Sequence, residues 1–127
     1  MSPAVTLAVR ALRGATTVDV DTAEQITERV QTLVREMLDR NGIDKDDLIS
    51  VIFTATPDLT AEFPALAARK AGLSGVPLLC ASEIDVPGAL PRVVRLMAHV
   101  ETPRAATEVR HIYLHGAAAL RPDLERP

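Results

Sequence analysis

Between Asp21 and Gly42, the apolar residues Ile26, Val30, Leu33, Val34, Met37 and Leu38 recur at steps of three and four. That period lines them up as one stripe along a helix of about five turns. Such a helix must bury its stripe against another surface, and the flanking segments supply one. Residues 48–54 (LISVIFT), 76–80 (VPLLC) and 92–100 (RVVRLMAHV) are short, apolar and rich in β-forming side chains. The stripe therefore predicts helix packed on sheet.

The punctuation refines this. Asp21 reads as an N-cap, with Glu24 three residues on completing a capping box, and Asn41-Gly42 ends the helix. Residues 44–47 form a second turn-like start. Residues 5–12 (VTLAVRAL) predict a strand that stops at a turn-like Gly14. Residues 62–72 predict a short helix with Pro64 in its first turn. Pro87, Gly88 and Pro91 break the chain, and residues 110–120 predict a last strand. The order β-α-β-α-β-β-β predicts an α/β or α+β fold, a mixed β-sheet with helices against one face. With no repeat, linker or low-complexity tract, the 127 residues read as one domain, 1–127.

Composition sets the limits. The chain is 47% apolar but only 2% aromatic, so Val, Leu, Ile and Ala must fill the core. A net charge of -3 and the lack of any Lys/Arg run argue against a nucleic-acid partner. No apolar run approaches the roughly 20 residues that cross a bilayer, so no membrane partner is expected. The first residues lack the basic region and apolar run of a signal peptide. The single cysteine, Cys80, has no internal disulfide partner, and a reducing cytoplasm is the expected location.

Candidate chemistry begins with Arg95. It sits mid-strand between Val94 and Leu96, with Val93 and Met97 on its own face, and is expected to be buried. A buried guanidinium needs an anionic partner. One reading is an ion pair with Glu83 or Asp85; the other is a cationic ligand site. Arg13 and Arg121 stand at strand ends. Three converging arginines would suit a small dicarboxylate, because guanidinium pairs well with carboxylate. Cys80 is read as a buried side chain rather than a nucleophile. His111 and His115 lie in an expected strand, where four residues span about 13 Å, so they make a poor metal pair. No metal site and no phosphate loop are expected.

Several segments carry a resemblance: Arg13-Gly14-Ala15-Thr16-Thr17-Val18, Thr54-Ala55-Thr56-Pro57-Asp58-Leu59, Glu62-Phe63-Pro64-Ala65, residues 76–80 with Glu83 and Asp85-Val86, Arg110-His111-Ile112-Tyr113-Leu114, and Leu120-Arg121-Pro122-Asp123-Leu124. Their order and spacing resemble the monofunctional chorismate mutases of the AroH class, typified by Bacillus, over nearly the whole chain. The resemblance implies a homotrimer forming a pseudo-α/β barrel, with active sites between subunits. It implies a Claisen rearrangement of chorismate to prephenate, with no covalent intermediate, metal or organic cofactor. It assigns Arg95 to the ether oxygen and a carboxylate, Arg13 to a carboxylate, and Glu83 to the ring hydroxyl, with Cys80 on the same side of the ring. It assigns Tyr113 to the side-chain carboxylate and Phe63 to the pocket wall. The backbone of Leu78, Leu79 and Cys80 is expected to line the site, and Arg121 to lie near its mouth.

The chain departs from the family pattern at Leu66, where relatives often carry lysine; Arg69 or Lys70, three and four residues on, is expected to replace that charge. Leu79 stands for a threonine, and the segment from Arg69 to Pro77 is one residue shorter. Three other readings compete: a non-catalytic or differently catalytic carboxylate-binding trimer of the same fold, a Cys80-dependent hydrolase, and a purely structural domain. Fold likeness alone does not separate them.

Overall fold

The computed structural model describes residues 6–121. Its elements are β1 (Ala8–Thr17), α1 (Ala23–Asn41), β2 (Leu48–Ala55), α2 (Pro64–Ala68), β3 (Leu78–Ser82), β4 (Val93–Thr102) and β5 (Ile112–Tyr113). The five strands form one mixed sheet in the order β3-β2-β4-β1-β5. β4 runs antiparallel to β1 and β2, while β3 is parallel to β2 and β5 to β1. β1 and β2 thus point the same way and are joined through α1; β2 and β3 are joined through α2. Both crossovers step in one direction across the sheet. Crossovers of one hand that step the same way put their helices on the same face, and α1 and α2 pack against each other there.

The predicted stripe is the heart of this layer. Ile26, Val30, Leu33, Val34 and Met37 are buried against Leu12, Val51, Phe53, Leu96 and Val100. Each such side chain removed from water contributes about 1.5–3 kcal/mol before chain entropy is counted. Phe53 is the one aromatic in this core, as expected from so aromatic-poor a chain.

Gly14 is not a turn. β1 runs through it to Thr17, because α1 lies directly over this point of the strand. A Cβ here would stand 3.3 Å from Leu33 Cδ1, 3.3 Å from Leu96 Cγ and 3.4 Å from the Ile112 carbonyl. The glycine lets the helix settle onto the sheet.

Other expectations shift for identifiable reasons. The N-cap of α1 is Thr22, whose hydroxyl accepts from the Gln25 amide at 3.2 Å. Asp21 is occupied elsewhere: its carboxylate accepts the Thr60 and Ala61 amides, each at 3.1 Å, and ties down the loop before α2. The short helix keeps α-form only to Ala68, then widens into a π turn over Arg69–Leu73, with Gly72 at φ 106. That turn breaks the simple three-and-four spacing from Leu66 to Arg69 and Lys70. β3 begins at Leu78, after Pro77, rather than at Val76.

The last expected strand shrinks to Ile112–Tyr113. His115, at φ 54, turns the chain into a 3₁₀ helix, His115–Leu120. Gly116 and three alanines are poor strand residues, and their small size lets Ala117 pack on Ala15 and Val93. Residue 5 of the first expected strand and residues 122–124 of the LRPDL segment lie outside the described residues.

Replacing Gly14 by Ala should cost about 1–3 kcal/mol, the usual range for overpacking, because Leu33 and Leu96 must both move. Chemical denaturation of the purified variant checks this; unchanged stability would mean that α1 does not rest on β1 as described.

Candidate active site

Alternation along the strands divides the sheet into two faces. Ile112, Gly14, Leu96, Phe53 and Cys80 form a row on the helix side. The adjacent row, Tyr113, Ala15, Arg95, Thr54 and Ala81, faces the other way. Among the described residues, that second face is covered only at one end, where Ala117 sits on Ala15 and Val93. Val9, Ile52, Leu79 and Met97 remain 58%, 37%, 60% and 40% exposed. An uncovered sheet face bearing four large apolar side chains is the mark of an interaction surface.

Arg95 lies in the middle of this face. It is not buried as expected: its side chain is 45% exposed. The strand reading was right, but the helices took the other face, so β4 buries Val94, Leu96, Ala98 and Val100 instead. Its partner is Glu83, one of the two acids anticipated. Arg95 Nε lies 3.1 Å and 3.2 Å from the two Glu83 oxygens. Thr54 Oγ1 donates to Glu83 Oε2 at 2.7 Å, and the Glu83 amide donates to the Ala55 carbonyl at 2.9 Å. A cavity of about 310 Å³ opens beside this group, lined by Glu83, Arg95, Leu90 and the loop around Asp85.

The TATPDL segment braces the start of β4. Thr56 exchanges backbone and side-chain hydrogen bonds with Val93: its amide donates to the Val93 carbonyl, and its hydroxyl accepts from the Val93 amide, both at 3.0 Å. Asp58 accepts the Arg92 amide at 2.9 Å. Arg92 sits at φ 50, a costly backbone state for a non-glycine residue. These bonds hold that state three residues before Arg95.

Arg13 is on the same face, partnered with Met97, and so about 7–8 Å diagonally from Arg95 across the strands. Its amide donates to His111 Nδ1 at 3.0 Å. The acceptor role puts the His111 proton on Nε2. His111 is itself held through Asn41, a buried side chain that accepts the Arg110 amide at 2.7 Å and donates to the Arg110 carbonyl at 3.0 Å. Burial first, then the charges of Arg13 and Arg121, hold the His111 imidazole below its ordinary value of 6.5. Arg121 thus joins Arg13 around one histidine. Tyr113 is half-buried beside Ala15, one strand beyond Arg95's partner.

The remaining predicted residues make a second group. Cys80 points to the helix side, where its sulfur accepts the Ala65 amide at 3.4 Å. With Phe63, which is 68% exposed, it lines a cleft of about 510 Å³. Leu78 packs on the core, Leu79 lies on the bare face, and Arg69 is exposed after α2. One chain therefore gathers Arg13, Glu83, Arg95 and Tyr113, but does not bring Cys80 and Phe63 to them. Among the described residues, no three His, Cys, Asp or Glu side chains are placed to share a metal ion, and no helix is long and apolar enough to cross a membrane.

Three contributors are not among the site residues expected from the sequence. Thr54 shows a signal there: it alternates with Val51 and Phe53, which places it on Arg95's face. The capping of Arg110 by Asn41 and the acceptor role of His111 join residues 69 and 98 positions apart, and no local pattern marks them.

The fold and the site define a small α+β protein with an arginine–glutamate group on an uncovered sheet face. Residues 9–124 match the family model described as chorismate mutase type I. The chain is 52% identical to chorismate mutase AroH of Thermus thermophilus over 118 residues, covering 92% of this chain and 97% of the relative. Against chorismate mutase AroH of Bacillus subtilis it is 40% identical over 117 residues, 91% and 92% of the two chains. A solved chorismate mutase from Clostridium thermocellum superposes with a TM-score of 0.84 at 49% identity, covering 86% of this chain and 97% of that one. The chain belongs to the type I chorismate mutase family, and is an isomerase of that kind.

The state of His111 has a measurable consequence. Below 6.5 the unfolded chain takes up a proton that the folded chain resists, so stability falls as pH drops from 6.5 toward the lower folded value. Protonation also removes the acceptor for Arg13. Thermal melts between about pH 7.5 and about pH 5.5 should show a loss for wild type that His111→Asn, a neutral acceptor, reduces. Parallel curves for the two proteins would exclude this role.

Proposed function

We propose that the chain converts chorismate to prephenate in sites shared between neighbouring subunits of a homotrimer. The observation that carries this reading is the Arg95–Glu83 pair on the bare face, in a chain of this family. Two half-sites on opposite sides of the sheet support the sharing: Arg13, Glu83, Arg95 and Tyr113 on one side, Phe63 and Cys80 on the other. The exposed Val9, Ile52, Leu79 and Met97 supply the apolar contact that a subunit interface needs.

The chemistry follows from the residue types. The enolpyruvyl side chain of chorismate must fold over its ring, and the breaking ether bond leaves partial negative charge on oxygen. Arg13 and Tyr113 hold carboxylates, selecting the compact reactive conformer. Glu83 accepts the ring hydroxyl and fixes the ring beneath Arg95. Arg95 reaches the ether oxygen, where its attraction grows as charge develops, and only such a growing interaction accelerates the step. No bond to the protein forms, so Cys80 serves as a lining group beside Phe63 and the backbone of Leu78 and Leu79. Arg69 or Lys70, both exposed after α2, supplies the rim charge that Leu66 lacks, and Arg121 closes the mouth with Arg13. The single cysteine fits a cytoplasmic enzyme.

The direct test follows chorismate loss with purified protein and no added metal. Arg95→Ala should lose about 10²–10³ in turnover while staying folded. Arg95→Lys should rescue poorly, since an ammonium lacks the planar fork. Citrulline at position 95 keeps shape but not charge; near-normal turnover with it would end the electrostatic mechanism. Binding of chorismate by wild type without turnover would favour a non-catalytic carboxylate-binding trimer.

The assembly is tested separately. Sedimentation should find a trimer, and Met97→Asp, which buries a charge in the proposed interface, should yield monomers with little activity. A wild-type monomer with full activity would rule out shared sites.

A further inference from the structure

We infer that Thr54 is a positioning residue that keeps Glu83 from closing onto Arg95, and so leaves Arg95's terminal nitrogens available to the substrate. This rests on the reading of Glu83 and Arg95 as substrate-binding groups.

The geometry is specific. An arginine and a carboxylate that meet freely tend toward a fork, two parallel N–H···O bonds from two nitrogens. Here only Nε is engaged, shared between both oxygens at 3.1 and 3.2 Å. Among the described residues, Nη1 and Nη2 have no hydrogen-bond partner. The reason lies one strand away. Thr54 is Arg95's direct partner in the β2–β4 ladder, and its hydroxyl claims Oε2 at 2.7 Å. The Glu83 backbone is fixed through Ala55, so the carboxylate can turn only about its own side-chain bonds. The Thr54 bond stops that turn. It leaves Oε1 with a single, long contact, free to accept a ring hydroxyl, and leaves Arg95's terminal nitrogens unengaged by Glu83.

Without the hydroxyl, the carboxylate can rotate into a fork with Arg95. The ground-state pair would then strengthen, and the guanidinium would have to break it to reach the ether oxygen. Such a penalty falls on the transition state more than on carboxylate binding. It appears in kcat rather than KM.

The test uses the full-length protein in three forms. Thr54→Val keeps shape and β-branching but removes the donor; Thr54→Ser keeps the donor. Thr54→Val should lower kcat about tenfold with a smaller change in KM, roughly the net worth of a hydrogen bond to a charged group. Thr54→Ser should stay within about twofold of wild type. In a Glu83→Ala background, Thr54→Val should have no further effect. A crystal structure of unliganded Thr54→Val should show Glu83 bound by two nitrogens of Arg95. Wild-type kcat in Thr54→Val, an undiminished effect in the Glu83→Ala background, or an unmoved Glu83 in the crystal would each overturn the inference. A wild-type protein that does not consume chorismate would overturn the functional reading instead, and the crystal comparison would still decide the geometry.

Discussion

The arrangement of this protein depends on two crossovers that step the same way across the sheet. Because α1 and α2 fall on one face, the other face of the five strands stays open beyond the end that Ala117 covers. A sheet buried on one side alternates apolar and polar residues. This one instead carries Ile52, Leu79 and Met97 on its uncovered side, beside Arg13 and Arg95. The apolar residues call for a partner surface, and the cations call for an anion. The proposed site, with a neighbouring subunit holding a dicarboxylate between the two, would answer both demands.

Around that face, the chain is braced mostly by backbone hydrogen bonds drawn to side chains. Thr56 and Asp58 set the start of β4, Asn41 sets Arg110, and His111 sets the amide of Arg13. The cations of the site are thus carried on strands whose registers are pinned on either side. A guanidinium on a pinned strand needs little reorganisation when charge develops before it, which is how preorganised electrostatics lower a barrier.

Much of the fold was legible because α1 has a strict period. Its stripe, its end at Gly42 and the strands it packs on are all local patterns. The sequence resemblance reached the family itself, through RGATTV, TATPDL and LRPDL. What escaped depended on distant partners. Asp21 and Thr22 are both good capping residues, and the choice fell to Thr22 because Asp21 binds a loop 39 residues away. Gly14 reads as a turn until Leu33 is seen above it. Strand alternation correctly put Arg95 with Met97, but alternation cannot say which face the helices will choose, so its burial was misjudged. The last strand failed for a simpler reason: Gly116 and its alanines suit a tight helix on a small patch, not an extended edge.

The separation of Cys80 from Arg95 by the thickness of the sheet has a genetic consequence. If each site takes one wall from one subunit and the opposite wall from the next, a chain damaged only at Arg95 and a chain damaged only on the Cys80 side carry complementary defects. Mixed trimers of the two would contain some sites built wholly from intact walls. Two inactive alleles in one cell would then restore growth together where neither does alone, while a chain damaged on both sides would poison its neighbours.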